Sequence, residues 1–145
     1  MSTLTHPPSS AASGLHGIFL SFPVALFSTA LAADAAYLGS AEIQWTNFAS
    51  WAIAGALVFT GLTVLFALAG WLRHIRRPGG VRRLVYLLVL AALFAVGLVN
   101  AFHHAQDGWS SVGTTGLALS AVSTLLALVA GWMFFSRTQA VEIVR

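Results

Sequence analysis

An all-α integral membrane bundle of four helices is the fold class this sequence predicts. Three observations carry the prediction: scarce charge, four long apolar runs, and arginines confined to one side of those runs. Charged residues make up 8% of the 145-residue chain and apolar ones 58%, whereas soluble domains carry about 25% charged residues. Such a chain lacks the polar surface to face water on every side, and hydrocarbon is the solvent that suits it.

The four runs lie near residues 17–37, 50–72, 84–102 and 112–135. Each reaches the roughly 20 helical residues that cross a hydrocarbon core of about 30 Å. Helices are preferred because lipid leaves exposed backbone groups unsatisfied, and none of the runs alternates as a strand does. Residues 1–14, with Pro7-Pro8 and Ser9-Ser10, read as an irregular tail. The membrane domain spans 15–137, and 138–145 form a short cytoplasmic tail. Three connectors join the runs: a polar one over 39–47, one over 73–83 that holds Pro78-Gly79-Gly80, and one over 103–111 that holds Gly108. Ala30-Leu31-Ala32 has the small-residue pattern of a signal-cleavage site. The segment before it lacks Lys and Arg, and apolar character runs on through Tyr37, so this segment reads as a span that stays in place.

All seven basic residues are arginines. Arg73, Arg76, Arg77, Arg82 and Arg83 crowd the second connector, and Arg137 and Arg145 follow the fourth run. The first and third connectors hold Glu42 and Asp107 and no basic residue. Four spans put both termini and the second connector on one side, and the bias of basic residues toward the cytoplasm makes that side the inner one. The expected location is therefore the bacterial inner membrane, multi-pass, with both ends cytoplasmic. Trp45, Trp51 and Trp109 fall at the outer boundary and Trp71 and Trp132 at the inner one, as an interfacial aromatic belt requires.

Each run carries a stripe at alternating four- and three-residue spacing, which keeps to one helix face. The first stripe is His16, Leu20, Pro23, Phe27, Ala30, Asp34. The second is Ala56, Thr60, Thr63, Ala67, Gly70, His74, and the third Tyr86, Leu90, Leu93, Gly97, Asn100, His104. The fourth is Gly113, Gly116, Ser120, Thr124, Ala127, Gly131. Small and hydroxyl-bearing residues so spaced let helices approach closely and hydrogen-bond across the contact.

Ionisable residues on these faces mark two candidate sites. At the inner end, His16 and His74 fall at similar depth on an antiparallel helix pair. Two facing imidazoles are the donor set for axial ligation of b haem, and Arg73, Arg76 and Arg77, with Arg82 and Arg83, would partner its propionates. The plainer alternative is that both histidines reach toward lipid headgroups. At the outer end, Asp34, Asn100, His103, His104 and Asp107 gather, with Glu42 near. Such nitrogen and carboxylate donors suit zinc, copper or iron, with His104, Asp34 and Asp107 as the ligand set, or a proton relay. The alternative there is a hydrogen-bonded cap on the bundle. His103 points about 100° from His104 on a helix, so the two do not chelate one ion. An intramembrane carboxylate such as Asp34 is a functional candidate in its own right, as is the polar Asn100.

Much chemistry is excluded. No cysteine is present, which rules out disulfides, thiolate metal sites and thiol nucleophiles. No Walker loop, G-x-S-x-G or H-E-x-x-H occurs. Seven arginines confined to one side describe topology rather than a nucleic-acid surface.

His16-Gly-Ile-Phe-Leu-Ser-Phe-Pro23, with Asp34 eleven residues on, resembles the H-P-x-x-x-H-F-P…D opening of small bacterial membrane proteins grouped as domain of unknown function 2231. The resemblance continues through Trp51, Asn100, Gly116-Leu-Ala-Leu-Ser120 and Gly131-Trp132, over residues 16–132. Gly17 stands where that family has Pro, and Ser21 where it has its second histidine. The resemblance implies a four-span bundle associated with respiratory or dehydrogenase systems, since such domains occur beside c-type cytochrome modules. The expected role is a non-catalytic accessory or anchoring subunit of an electron-transfer assembly, with b haem as an optional cofactor. Its partners would be the lipid bilayer and other membrane or periplasmic subunits. The alternatives are a cofactor-free structural or interaction protein, and a small transporter or proton conduit using Asp34.

Overall fold

Four helices follow one another: α1 (Ala11–Ser40), α2 (Ile43–Arg73), α3 (Gly80–His104) and α4 (Thr114–Ile143). The computed structural model describes the backbone of residues 11–76, 79–105 and 113–143, and side chains within 13–76, 79–105 and 113–136. All four are long and apolar enough to cross a membrane. The shortest, α3, has 25 residues, or about 37 Å at 1.5 Å per residue, more than the roughly 30 Å of a hydrocarbon core. No strand occurs among the described residues.

The helices outrun the apolar segments that announce them. The polar connector expected over 39–47 shrinks to Ala41 and Glu42, because α2 already begins at Ile43. Residues 11–14 belong to α1, His103 and His104 close α3, and α4 runs on to Ile143, beyond the expected start of the tail. The physical reason is cooperativity. Once a long apolar helix is nucleated, adding a polar residue at its end needs only one more residue fixed per hydrogen bond gained.

Two turns show how the chain reverses. Ala41 has φ 56° and donates its N–H to the Tyr37 carbonyl at 2.7 Å, a left-handed helix stop built without glycine. At the other end Gly79, with φ 85°, precedes α3 and accepts from the Arg83 N–H at 3.2 Å. Only glycine takes that conformation without a steric penalty.

Each helix packs on two neighbours in the cyclic order α1, α2, α3, α4. Helices α1 and α3 therefore face one another across a diagonal and run parallel. Their buried stripes match one to one at a constant offset of 70 residues: His16 with Tyr86, Phe27 with Gly97, Asp34 with His104. In the centre, a Cβ placed on Gly97 would meet the Phe27 ring at 2.8 Å and Leu57 at 3.1 Å. Gly97 is thus the notch that lets Phe27 fill the axis of the bundle. Ile53, Ala56, Leu93 and Ala127 complete that layer, and Leu20, Tyr86, Leu90 and Ala130 form a second one toward the arginine-bearing end.

The two hydroxyls on the α2 stripe do not bridge helices. Thr60 and Thr63 donate to Ala56 and Phe59 of their own helix, at 2.7 and 2.8 Å. This corrects the expectation of cross-helix bonds on α2. A Ser or Thr four residues past a carbonyl finds that acceptor without any help from packing. Thr124 does both, lying 3.0 Å from the Phe27 carbonyl and 2.8 Å from its own Ser120 carbonyl. Apolar side chains such as Trp51, Val58, Leu65, Phe102 and Trp132 point outward, where lipid is their solvent.

Candidate functional site

At the end of the bundle where α1 stops and α4 begins, three helices meet through a closed ring of polar side chains. His104 Nε2 lies 2.9 Å from Asp34 Oδ1. Ser120 donates its hydroxyl to Asp34 Oδ2, and Asn100 donates its amide to Ser120 Oγ at 3.0 Å. His104 Nδ1 returns to the Asn100 main-chain carbonyl at 3.0 Å. Asp34, Asn100 and Ser120 are wholly buried and His104 nearly so.

The protons in this ring follow from its acceptors. The Asn100 carbonyl only accepts, so Nδ1 of His104 carries a proton. One further proton then occupies the Nε2–Oδ1 bond. Whichever atom holds it, as imidazolium with carboxylate or imidazole with carboxylic acid, the pair has no net charge. That neutrality is what allows an acid and a base to lie inside a membrane bundle.

Of the metal set named from sequence, His104 and Asp34 are brought together, hydrogen-bonded to each other. Asp107 lies outside the described residues. Among the described residues no group of three His, Asp or Glu gathers as a ligand cluster, and Glu42 is exposed. His103 diverges from His104, with ring centroids 6.2 Å apart and planes at 75°. Its Nε2, the Asn100 Oδ1 and the Thr46 Oγ1 are buried without a partner among the described residues. Ser120 is the ring member that the sequence placed on a packing stripe, among hydroxyls expected to bond across the contact, and not in the candidate site. Its signal was a hydroxyl on a buried face, and spacing does not say whether such a hydroxyl bonds its own helix or another.

The opposite end holds a cavity of about 720 Å³ that His16 and His74 both line. Arg73 and Arg83 stand on its wall, with Tyr86, Phe66 and Phe134. His16 Nε2 shares a 2.7 Å hydrogen bond with the Tyr86 hydroxyl, and its ring is packed by Phe66 and Phe134 at centroid distances of 6.2 and 4.8 Å. His74 Nδ1 donates to the Gly70 carbonyl at 2.9 Å, which directs its Nε2 away from its own helix. Arg76 and Arg82 are exposed and do not line the cavity, and Arg77 lies outside the described residues. Arg83 Nη1 is buried and finds no acceptor among the described residues.

Ser21 faces elsewhere. It donates to its own Ile18 carbonyl at 2.7 Å and lines a separate, mostly apolar groove with Val24, Ala25, Gly131 and Trp132. The position where the resemblance places a second histidine therefore does not share the cavity of His16.

No curated protein and no solved structure matches the chain. A family model described as a predicted membrane protein, DUF2231, matches residues 12–133, a stretch that contains the Asp34 ring and reaches into all four apolar segments. This chain is a multi-pass helical membrane protein and belongs to the DUF2231 family.

Proposed function

We propose that the chain is a non-catalytic accessory or anchoring subunit of a respiratory or dehydrogenase-type electron-transfer assembly in the bacterial inner membrane, with both termini cytoplasmic. The observation that carries the non-catalytic part is the closed ring at Asp34. The buried acid and base at that end satisfy one another across three helices, so they act as a brace rather than as an open reactive site. The connectors are too short to build a catalytic domain outside the bilayer, which leaves the apolar sides and the arginine-bearing end for contact with other subunits. The electron-transfer assignment draws on the company that such domains keep.

Native purification in mild detergent tests this reading. The expected result is co-purification of a cytochrome or dehydrogenase subunit. Recovery only as a free monomer or homo-oligomer would sink it. A tag placed after Arg145 and probed from outside intact cells tests the orientation, and no labelling is expected.

A second reading, b haem held by His16 and His74, is favoured by the cavity the two histidines share with Arg73 and Arg83. His74 Nδ1 is anchored to a carbonyl, the arrangement that leaves Nε2 as a metal donor. For His16 the same nitrogen is engaged by Tyr86, so ligation would require that bond to be given up. A reduced-minus-oxidised absorption spectrum decides: Soret and α bands support haem, and their absence in a haem-replete preparation removes it.

A further inference from the structure

We propose that the cavity at the arginine-bearing end binds a phosphate-type anion, presented by the head of an acidic membrane lipid. This stands independently of the electron-transfer reading and competes with haem for the same space.

Charge makes the case. Arg73 and Arg83 line the cavity, and both guanidinium groups keep their charge in any protein environment. Of the described acidic side chains, Asp34 is held in the ring at the far end and Glu42 stands at the α1–α2 turn, also at the far end. The side chain of Glu142 lies outside the described residues. The two arginines are not equivalent. Arg73 sits in the last turn of α2, where a cation is stabilised by the negative end of the helix dipole. Arg83 sits in the first turn of α3, where the dipole has its positive end and opposes a cation.

The bias of arginines toward one membrane face accounts for a basic residue near this boundary. It does not account for a partly buried one at the unfavourable end of a helix, its Nη1 enclosed and with no acceptor among the described residues. A bound anion does. It would accept from that nitrogen and answer the α3 dipole at the same time.

The remaining wall describes the rest of the ligand. Tyr86 supplies a hydroxyl, and Ser13 lies on the same lining, while Phe66 and Phe134 give an apolar flank. About 720 Å³ falls in the range of sites that enclose small organic ligands. A cationic pocket between helices at the membrane boundary, polar on one wall and aromatic on another, is the form that recognises an anionic lipid head and the start of its chains.

The test is native mass spectrometry of the full-length protein, titrated with phosphatidylglycerol or phosphatidylcholine in mixed micelles. The expected result is at least tenfold tighter retention of the anionic lipid. Arg83→Gln should remove most of that preference and Arg73→Gln with Arg83→Gln all of it, while Arg76→Gln, outside the cavity, leaves it intact. Inorganic phosphate then distinguishes the source. Failure of millimolar phosphate to displace the lipid assigns the site to a lipid head, and displacement assigns it to a soluble phosphate compound of the same chemistry. Equal retention of the two lipids by the unaltered protein overturns the proposal, whether or not the variants fold. So does a preference that survives Arg83→Gln, or a purified protein that carries haem and no phospholipid.

Discussion

Asp34 and His104 are separated by 70 residues in sequence and by 2.9 Å in the bundle. His16 and Tyr86 are separated by the same 70 residues and by 2.7 Å. These two bonds clasp the parallel diagonal of α1 and α3 at both ends, five helical turns apart, or about 27 Å. Between them lies an apolar seam centred on Phe27 and Gly97. The register of the two helices is thereby held at three points.

Breaking the Asp34–His104 clasp should be the most damaging polar change. Asp34→Asn leaves His104 facing an amide in place of a carboxyl inside a buried ring. Cross-helix hydrogen bonds in membrane bundles are often worth under about 1 kcal/mol, but removing one partner of a buried ionisable pair costs about 3–5 kcal/mol. Full burial of Asp34 puts this case nearer the second figure, and we expect a loss of about 3 kcal/mol in detergent unfolding. A double-mutant cycle of Asp34→Asn with His104→Gln should give a coupling above about 1 kcal/mol. Simple additivity of the two substitutions would contradict the ring.

The His16–Tyr86 clasp should matter less. Tyr86→Phe removes one hydroxyl and keeps the ring that packs beside His16 and Phe134. The expected loss is about 1 kcal/mol, the net worth of a single hydrogen bond. Stability that falls by as much as it does for Asp34→Asn would show instead that the two ends are equivalent.

Gly97→Ala tests the seam. The added methyl would stand 2.8 Å from the Phe27 ring, inside van der Waals contact, and overpacking of this kind costs about 1–3 kcal/mol. Phe27→Leu in the Gly97→Ala background should restore part of the loss, because a shorter side chain clears the notch. Gly97→Ala at full stability would mean that the seam has slack the structure does not contain.

Ala41→Gly should stabilise. Ala41 holds a left-handed backbone at φ 56°, which costs an L residue roughly 1–2 kcal/mol. Glycine removes that penalty and adds some unfolded-state entropy, for a net gain of about 0.5–1 kcal/mol. Thermal unfolding in detergent measures it, and a decrease would overturn this account of the turn.

Much of this was legible in the residues. Low charge, four long runs and alternating four- and three-residue spacing placed His16, Phe27 and Asp34 on one face, and Tyr86, Gly97 and His104 on another. Those positions are buried, because helical periodicity alone determines which side of a span faces inward. Helix ends were less legible. Gln44, Asn47, His103 and His104 read as connector, since apolarity marks the bilayer and not the extent of the helix. Partners were not legible at all. Thr60 and Ser120 look alike on a stripe, yet one bonds its own α2 and the other bonds Asp34 across the bundle.

Sequence by itself determined that this chain has four membrane-spanning helices, and which face of each turns inward, because hydrophobicity and helical pitch are local properties. Tertiary structure alone decided that α1 and α3 stand in parallel register, that Asp34 meets His104, and that Arg83 and His16 line one cavity. Those outcomes depend on how helices are rotated and shifted against one another, and that is fixed by side chains that meet only after the bundle closes.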